Sequence, residues 1–515
     1  MIAYSLSFRP TRLISALLLL LIATFVLAET ARLRGAEYDE GYTIFLASGV
    51  PRPAWPTTPF RAGDVRAAFG GHSDALRIAR DLRATDVHPP LYFWAAAAWR
   101  ELTGPDLFRL RLLSVLAALA SLAVVGGIAV RAGVPPLPAM LLTLGSYGFS
   151  YTGAVARGFA LADLLSLAGV WLLLGAERRR RPVPAFAAGL LLGLASFTNY
   201  LAAFVGAAAL LWLLMRRWRQ PSLWLAAGLG FAVVMPADLY FFLAQRDSRA
   251  GQFPPFHLLP SLARLAQYAA GNVFGGLPLY VAGAARVALG AALALLLVGL
   301  VALITWRWRR LGQRGARALL AAAALAPPAG LLLLGAVFDT TPIELRYLAF
   351  AVPFFALLLA GALATLPRAQ GAALLVLVLA VQAGSLVGLA RLPQTMQPQA
   401  AATRAAAALA GADGLVLVPR GNDGVGVVGA VIQSAPDSLR LRVVPRDESP
   451  EAIRAASGRA PVVVLALLGL DADSRATLPH MTAAFRDQPC WHETARRADT
   501  VAFTRDHACA ARAAR

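Results

Sequence analysis

Glu37-Tyr38-Asp39-Glu40-Gly41-Tyr42 stands just beyond the first apolar run of the chain, Leu13 to Ala28. It sets two or three carboxylates at what would be a membrane edge, where neutral or aromatic side chains are the rule. Further along, Asp86-Val87-His88-Pro89-Pro90-Leu91-Tyr92-Phe93-Trp94 runs from a polar tip into an aromatic, apolar segment. The stretch between the two is too polar to enter lipid. The pattern predicts an active-site loop outside the membrane, held over the ends of many helices.

The 515 residues are 58% hydrophobic and 15% charged, with a mean hydropathy of +0.61. Soluble domains run near 45–50% apolar and about 25% charged, so the composition is that of a membrane protein. A net charge of +20 invites a nucleic-acid reading. That reading fails because the basic residues, all arginine, sit in short clusters between apolar runs. This is the distribution that membrane topology demands. No nucleic-acid partner is expected. The two cysteines, Cys490 and Cys509, lie near the C-terminus. They would pair in an oxidising compartment, and two unpaired thiols are the alternative.

Arg9 and Arg12 precede the first apolar run, which reads as a retained signal-anchor rather than a cleaved signal peptide. Further apolar segments cover 110–130, 136–152, 158–176, 184–199, 201–215, 222–243, 279–305, 318–337, 347–366 and 371–391. Arginine clusters at both flanks make 184–215 a hairpin of two short helices, with Ser196-Phe197-Thr198-Asn199-Tyr200 at its outer apex. The expected architecture is an α-helical polytopic membrane protein with about eleven transmembrane helices plus juxtamembrane helices. Its N-terminus is cytoplasmic and its C-terminus lies outside. His88 to Leu102 would break this count if it crossed, so it is expected to be juxtamembrane or re-entrant.

Residues 1–391 form the membrane module, with 30–109 as its first periplasmic loop. From 392 to 515 the composition is that of a small soluble α/β domain. Leu415 to Val418, Leu441 to Val444 and Val462 to Leu467 read as buried strands; 397–410, 449–457 and 472–487 read as helices. Gly421, Gly424 and Gly426 do not match a phosphate-binding glycine fingerprint. An accessory role is expected for this domain.

On this topology one rim gathers Asp39, Glu40, His88, Arg109, Arg111, Tyr151, Arg157, Asn199, Tyr200, Asp339, Glu344, Arg346 and Tyr347. Carboxylates suit proton abstraction from a hydroxyl, or a divalent metal, which is the one cofactor the set invites. Arginines suit a phosphate at the lipid boundary. The combination points to a lipid-linked phosphate substrate and a hydroxyl acceptor. Each residue also has a plainer reading: a solvated acidic pair for Asp39 and Glu40, snorkelling for Arg109 and Arg111, a capped turn for His88, an interface anchor for Arg346-Tyr347. Asp163 lies within a span and needs a partner or a proton.

In order along the chain, Asp39-Glu40, His88-Pro89-Pro90-Leu91-Tyr92, Arg111-Leu112-Leu113-Ser114, Ala156-Arg157-Gly158-Phe159-Ala160-Leu161, Thr198-Asn199-Tyr200 and Arg346-Tyr347 resemble the motifs of the GT-C class of polytopic glycosyltransferases. The resemblance is to the branch holding the protein O-mannosyltransferases, the lipid A aminoarabinose transferase and the Rgt-type bacterial transferases. It covers the membrane part and not the tail. It implies a polyprenyl-phosphate sugar donor used on the periplasmic side of a bacterial inner membrane, and a lipid, glycan or protein acceptor. It implies Asp39 as general base with Glu40 assisting, and inversion at the sugar carbon. It puts His88, Arg157 and Arg346 on the donor phosphate, with Arg111, Tyr200 and Tyr347 completing the donor contacts. Two positions depart from the pattern: Val155 replaces an acid, and Phe159 replaces a tyrosine. The missing acid leaves metal dependence open, with Asp339 or Glu344 as substitutes. A transporter or flippase for a lipid-linked or anionic substrate is the alternative. It would favour internal repeats meeting at the midplane, and none is found.

Overall fold

The computed structural model describes residues 10–50, 55–56, 58–246, 253–391, 398–422 and 424–506. Arg9 and Cys509 lie outside them, and with Cys509 the disulfide expectation. The chain divides into two compact units. One comprises Met1–Ala31, Ala79–Tyr92 and Arg111–Arg391; the other comprises Arg32–Ile78, Phe93–Leu110 and Leu392–Arg515.

The chain is a polytopic helical protein. Among the described residues, eight helices are long and apolar enough to cross a membrane, from Leu13–Leu33 to Arg368–Arg391. The pair Pro221–Ala232 and Met235–Gln245 passes the same test together but is bent by 44°, as in a broken span or a re-entrant loop. Pro236 explains the bend: it has no N–H to give the preceding turn. Two further apolar segments are shorter helices, Pro136–Gly145 and Pro182–Ser196. The sequence count of eleven treats 136–152 as one span, but Ser146 is extended and divides it into Pro136–Gly145 and Tyr147–Gly153. Serine hydroxyls make the break tolerable, because they take up carbonyls the helix no longer serves. Ser146 Oγ donates to Thr143 O at 2.6 Å, and Ser150 Oγ donates to Leu144 O.

Burial separates central from peripheral spans. Leu345–Leu363 is 78% buried inside the protein, whereas Gly283–Trp306 is only 17% buried although its apolar window has the highest mean hydropathy of the eight, 2.9. An exposed helix that is apolar all round has lipid as its solvent. The segment expected to be juxtamembrane is the 13-residue helix Leu91–Thr103. It measures about 20 Å at 1.5 Å per residue, short of the ~30 Å hydrocarbon core.

The second unit is built on a six-stranded sheet: β1 Phe60–Arg61, β2 Leu415–Pro419, β3 Arg440–Val444, β4 Val462–Ala466, β5 Trp491–Arg497 and β6 Thr500–Arg505, in the order β1-β3-β2-β4-β6-β5. The central strands β3, β2 and β4 are parallel, as the continuous apolar runs of β2 and β4 predict for strands buried on both faces. Val416 and Val418 point into one core with Val428 and Val431, while Leu415 and Leu417 point into the other with Phe485 and Phe503. The helices Pro398–Ala410, Pro450–Ala456 and Ala472–Ala483 fall where the sequence pattern puts them. The pattern misses β5, β6 and the helix Gly426–Ser434.

The two units also change over at 391, where the composition shifts. Residues 32–78 and 93–110 group with the tail rather than with the spans. The cause is main-chain pairing and close packing. β1 pairs antiparallel with β3, with Phe60 opposite Leu441, and Arg66 bonds Asp437 and the carbonyl of Ile432.

Candidate functional site

In the first unit the chain between the helices Ala75–Thr85 and Leu91–Thr103 carries the densest polar cluster. Pro89 and Pro90 shape it: a residue before proline is driven out of the helical region, so His88 cannot join either helix. Asp86 is buried, and its Oδ1 accepts from the Val87 N–H at 2.6 Å and contacts His88 Nδ1 at 2.9 Å. Across the cluster, Arg157 Nη2 lies 3.2 Å from both ring nitrogens of His88. An in-plane approach equidistant from both would collide with the ring carbon between them, so the guanidinium lies over the ring face. Burial by itself would raise the Asp86 pKa. The His88 charge and hydrogen bond, the Arg157 charge and the Val87 N–H outweigh it and hold the carboxyl well below its usual range.

Arg157 is buried in the turn between Tyr147–Gly153 and Phe159–Arg179. The next residue, Gly158, sits where a side chain would be tightly packed. A Cβ on Gly158 would lie 3.1 Å from Thr198 O and from Tyr92 Cβ. Gly158 thus lets three motifs meet: the Leu91-Tyr92 start of one helix, the Arg157 turn and the Thr198-Asn199-Tyr200 apex. At that apex Asn199 Oδ1 accepts the Leu201 N–H, and the Tyr200 hydroxyl donates to Gln245 Oε1 at 2.8 Å. Gln245 Nε2 in turn donates to Leu82 O at 2.9 Å and His88 O at 3.1 Å. Tyr200 and the His88 loop are therefore clamped to one side chain.

The remaining predicted donor residues of this unit fall in two places. Arg111 is buried and its Nη1 donates to Ala31 O at 2.7 Å, a carbonyl in the last turn of Pro10–Leu33. That is a helix-capping contact, favourable to the negative end of the helix dipole. Arg346 pairs with Glu344 at 2.9 Å and lies 5.7 Å from the Tyr347 ring centroid. Tyr347 stacks on Phe159 at 6.4 Å, which links it to the helix beginning after Arg157. Asp339 accepts the Phe256 N–H. Among the described residues no group of three or more His, Cys, Asp or Glu could hold a metal ion. Asp163 is buried, and its Oδ1 has no hydrogen-bond partner among the described residues.

Asp39 and Glu40 belong to the second unit. Asp39 caps the helix Glu40–Ser48 by position, without a side-chain cap bond, and is half-buried. Glu40 is fully buried and its Oε2 accepts the Glu37 N–H at 2.9 Å, closing the turn that carries Asp39. Glu37 forms a buried ion pair with Arg34. The turn leans on the tail: a Cβ on Gly41 would lie 2.9 Å from Val425 O, and one on Gly426 would lie 2.2 Å from Tyr38 Cζ. Arg109 donates to Thr103 O at 2.7 Å, a local turn contact.

Sequence reasoning does not assign roles to Asp86 or Gln245. The first is legible in hindsight as an acid two residues from a histidine. The second has no local signal, since its partners are 45, 157 and 163 residues away.

Residues 87–240 match the family model of the dolichyl-phosphate-mannose-protein mannosyltransferases. No curated protein matches the sequence. Among solved structures, ArnT from Cupriavidus metallidurans bound to undecaprenyl phosphate aligns at a TM-score of 0.54 and 13% identity, covering 95% of this chain and 98% of that one. The apo form of the same protein aligns at 0.53 and 14%, covering 95% and 97%. The fold is of the GT-C type.

Proposed function

We propose that the chain is a membrane glycosyltransferase that moves a sugar from a polyprenyl-phosphate donor to a hydroxyl of a lipid, glycan or protein on the periplasmic face of a bacterial inner membrane. The observation that carries this reading is the buried Asp86–His88–Arg157 cluster, in a chain of GT-C fold and within the stretch matched to the mannosyltransferase model. A structural relative binds undecaprenyl phosphate, and the same class of carrier is proposed here. The arginine distribution supports a cytoplasmic N-terminus and a periplasmic tail.

In this reading Arg157 supplies a fixed positive charge and a fork of donors for the phosphate. Asp86 offsets the cost of burying that charge and orients the His88 ring. Arg346, Arg111, Tyr200 and Tyr347 complete the donor contacts. Asp39 is the general base and Glu40 holds its turn. The acceptor oxygen attacks the anomeric carbon as Asp39 takes its proton, and the carbon–oxygen bond to phosphate breaks with its electron pair leaving on the phosphate. A phosphate monoester has a second pKa near 6, so the leaving group needs no protonation, which fits the absence of an acid at Val155. Displacement from the opposite face inverts the sugar carbon.

The test complements a deletion strain with wild type, Asp39→Asn or Arg157→Ala, and runs mass spectrometry on envelope glycolipids, polysaccharides and glycoproteins. A positioned base is worth about 10²–10⁴-fold, so one sugar mass restored by wild type should be lost in Asp39→Asn at equal protein level. Equal restoration by Asp39→Asn would falsify the base assignment.

A further inference from the structure

A second concave site lies at the other end of the spans. A groove of about 880 Å³ is lined by Arg216, Arg309, Arg314 and Arg317, with Trp212 and Trp308. Arg216 lies in the last turn of the span Tyr200–Arg217. Sixteen residues at 1.5 Å each put it about 24 Å from that apex, so the groove is separate from the candidate site.

Its walls are fixed and its charges are only partly used. Trp212 Nε1 donates to Gly315 O at 3.1 Å, tying two spans together at the groove. Arg317 donates to Trp308 O at 2.8 Å and lies 5.4 Å from the Trp308 ring centroid. Glu177 meets Arg216 at 2.9 Å and Arg217 at 2.7 Å. Arg309 and Arg314 have no carboxylate partner among the described residues. Arginines at a membrane end ordinarily set topology and reach solvent. Here they surround a hollow with aromatic walls, and the hollow adjoins apolar surface: Leu211 is 54% exposed, Met215 65% and Trp306 72%.

We propose that this groove binds the phosphodiester headgroup of an anionic membrane lipid. Guanidinium groups would hold the phosphate oxygens, and the acyl chains would lie along Leu211 and Met215. A soluble phosphate would use only the arginines and leave the apolar flank bare, whereas a lipid satisfies both. Basic hollows between spans are suited to such headgroups. The inference does not depend on the sugar-transfer reading.

Native mass spectrometry of the full chain in neutral detergent tests it, with phosphatidylglycerol, cardiolipin, phosphatidylethanolamine and glycerol phosphate as probes. Wild type should bind the two anionic lipids at least about tenfold more tightly than phosphatidylethanolamine. The double variant Arg309→Gln/Arg314→Gln should lose most of that preference. Its thermal unfolding should be unchanged, since both side chains are exposed. Arg180→Gln/Arg181→Gln, at the same end but outside the groove, should keep the preference. Three results overturn the proposal: an unchanged preference in the first variant, an equal loss in both variants, or competition by glycerol phosphate at the concentration where the lipids bind.

Discussion

Arg157 lies over the face of His88, its Nη2 3.2 Å from each ring nitrogen, while Asp86 holds the ring edge at 2.9 Å. The stack needs a planar cation. Lysine is a point charge on a flexible stem and cannot cover the ring and present a donor fork together. Arg157→Lys is therefore expected to lose about 10–100-fold in transfer, the scale of one or two charge-assisted hydrogen bonds at about 1.5–3 kcal/mol, with protein level unchanged. Sugar transfer within twofold of wild type would rule out the phosphate-binding role.

The pH behaviour of Asp86 has a definite sign. Its folded pKa is depressed, so its stabilising contribution is complete above the unfolded value of about 3.9 and is lost as pH falls through the folded value. Removing one partner of a buried ion pair costs about 3–5 kcal/mol. Asp86→Asn should thus lower Tm by a constant amount from pH 5 to 8, with the gap to wild type closing below about pH 4. Tryptophan fluorescence in detergent reads this directly. A gap that widens towards low pH contradicts the assignment.

Gln245 is expected to act as a positioning residue. Gln245→Leu strips donors from the carbonyls of Leu82 and His88 and the acceptor from Tyr200. Each buried polar group left unpaired costs about 1–3 kcal/mol. The measurement is donor KM against kcat: a raised KM with a smaller change in kcat fits a loosened phosphate loop. Tyr200→Phe, which removes one bond, should show the same split more weakly. A pure kcat loss would point to chemistry instead.

The tail is expected to hold the Asp39 turn. Gly426→Ala places a methyl group against the Tyr38 ring, and overpacking of this kind costs about 1–3 kcal/mol. Activity should fall together with stability, and Tyr38→Ala in the same chain should restore part of both. If the double variant is no better than the single one, the contact is not what couples tail and turn.

Much of this protein is set by the sequence alone. Apolar runs must leave water, and arginine clusters must stay at membrane boundaries, so the apolar spans are marked residue by residue, whereas the break at Ser146 is not. The same local logic marks β2 and β4, whose continuous apolar runs fit strands buried on both faces, and β3 beside them, and it marks the Asp86 to Pro90 tip as non-helical. Tertiary structure alone decided which distant groups meet. Arg157 meets His88, 69 residues away, because the turn before Gly158 has room for Tyr92. Gln245 reaches the His88 carbonyl from a different span. Phe60–Arg61, too short to read as a strand, joins the sheet because the edge of β3 offers unpaired main-chain groups. Local partition between water and lipid is a sum over neighbours in sequence, whereas these pairings depend on shape and unsatisfied hydrogen bonds across hundreds of residues.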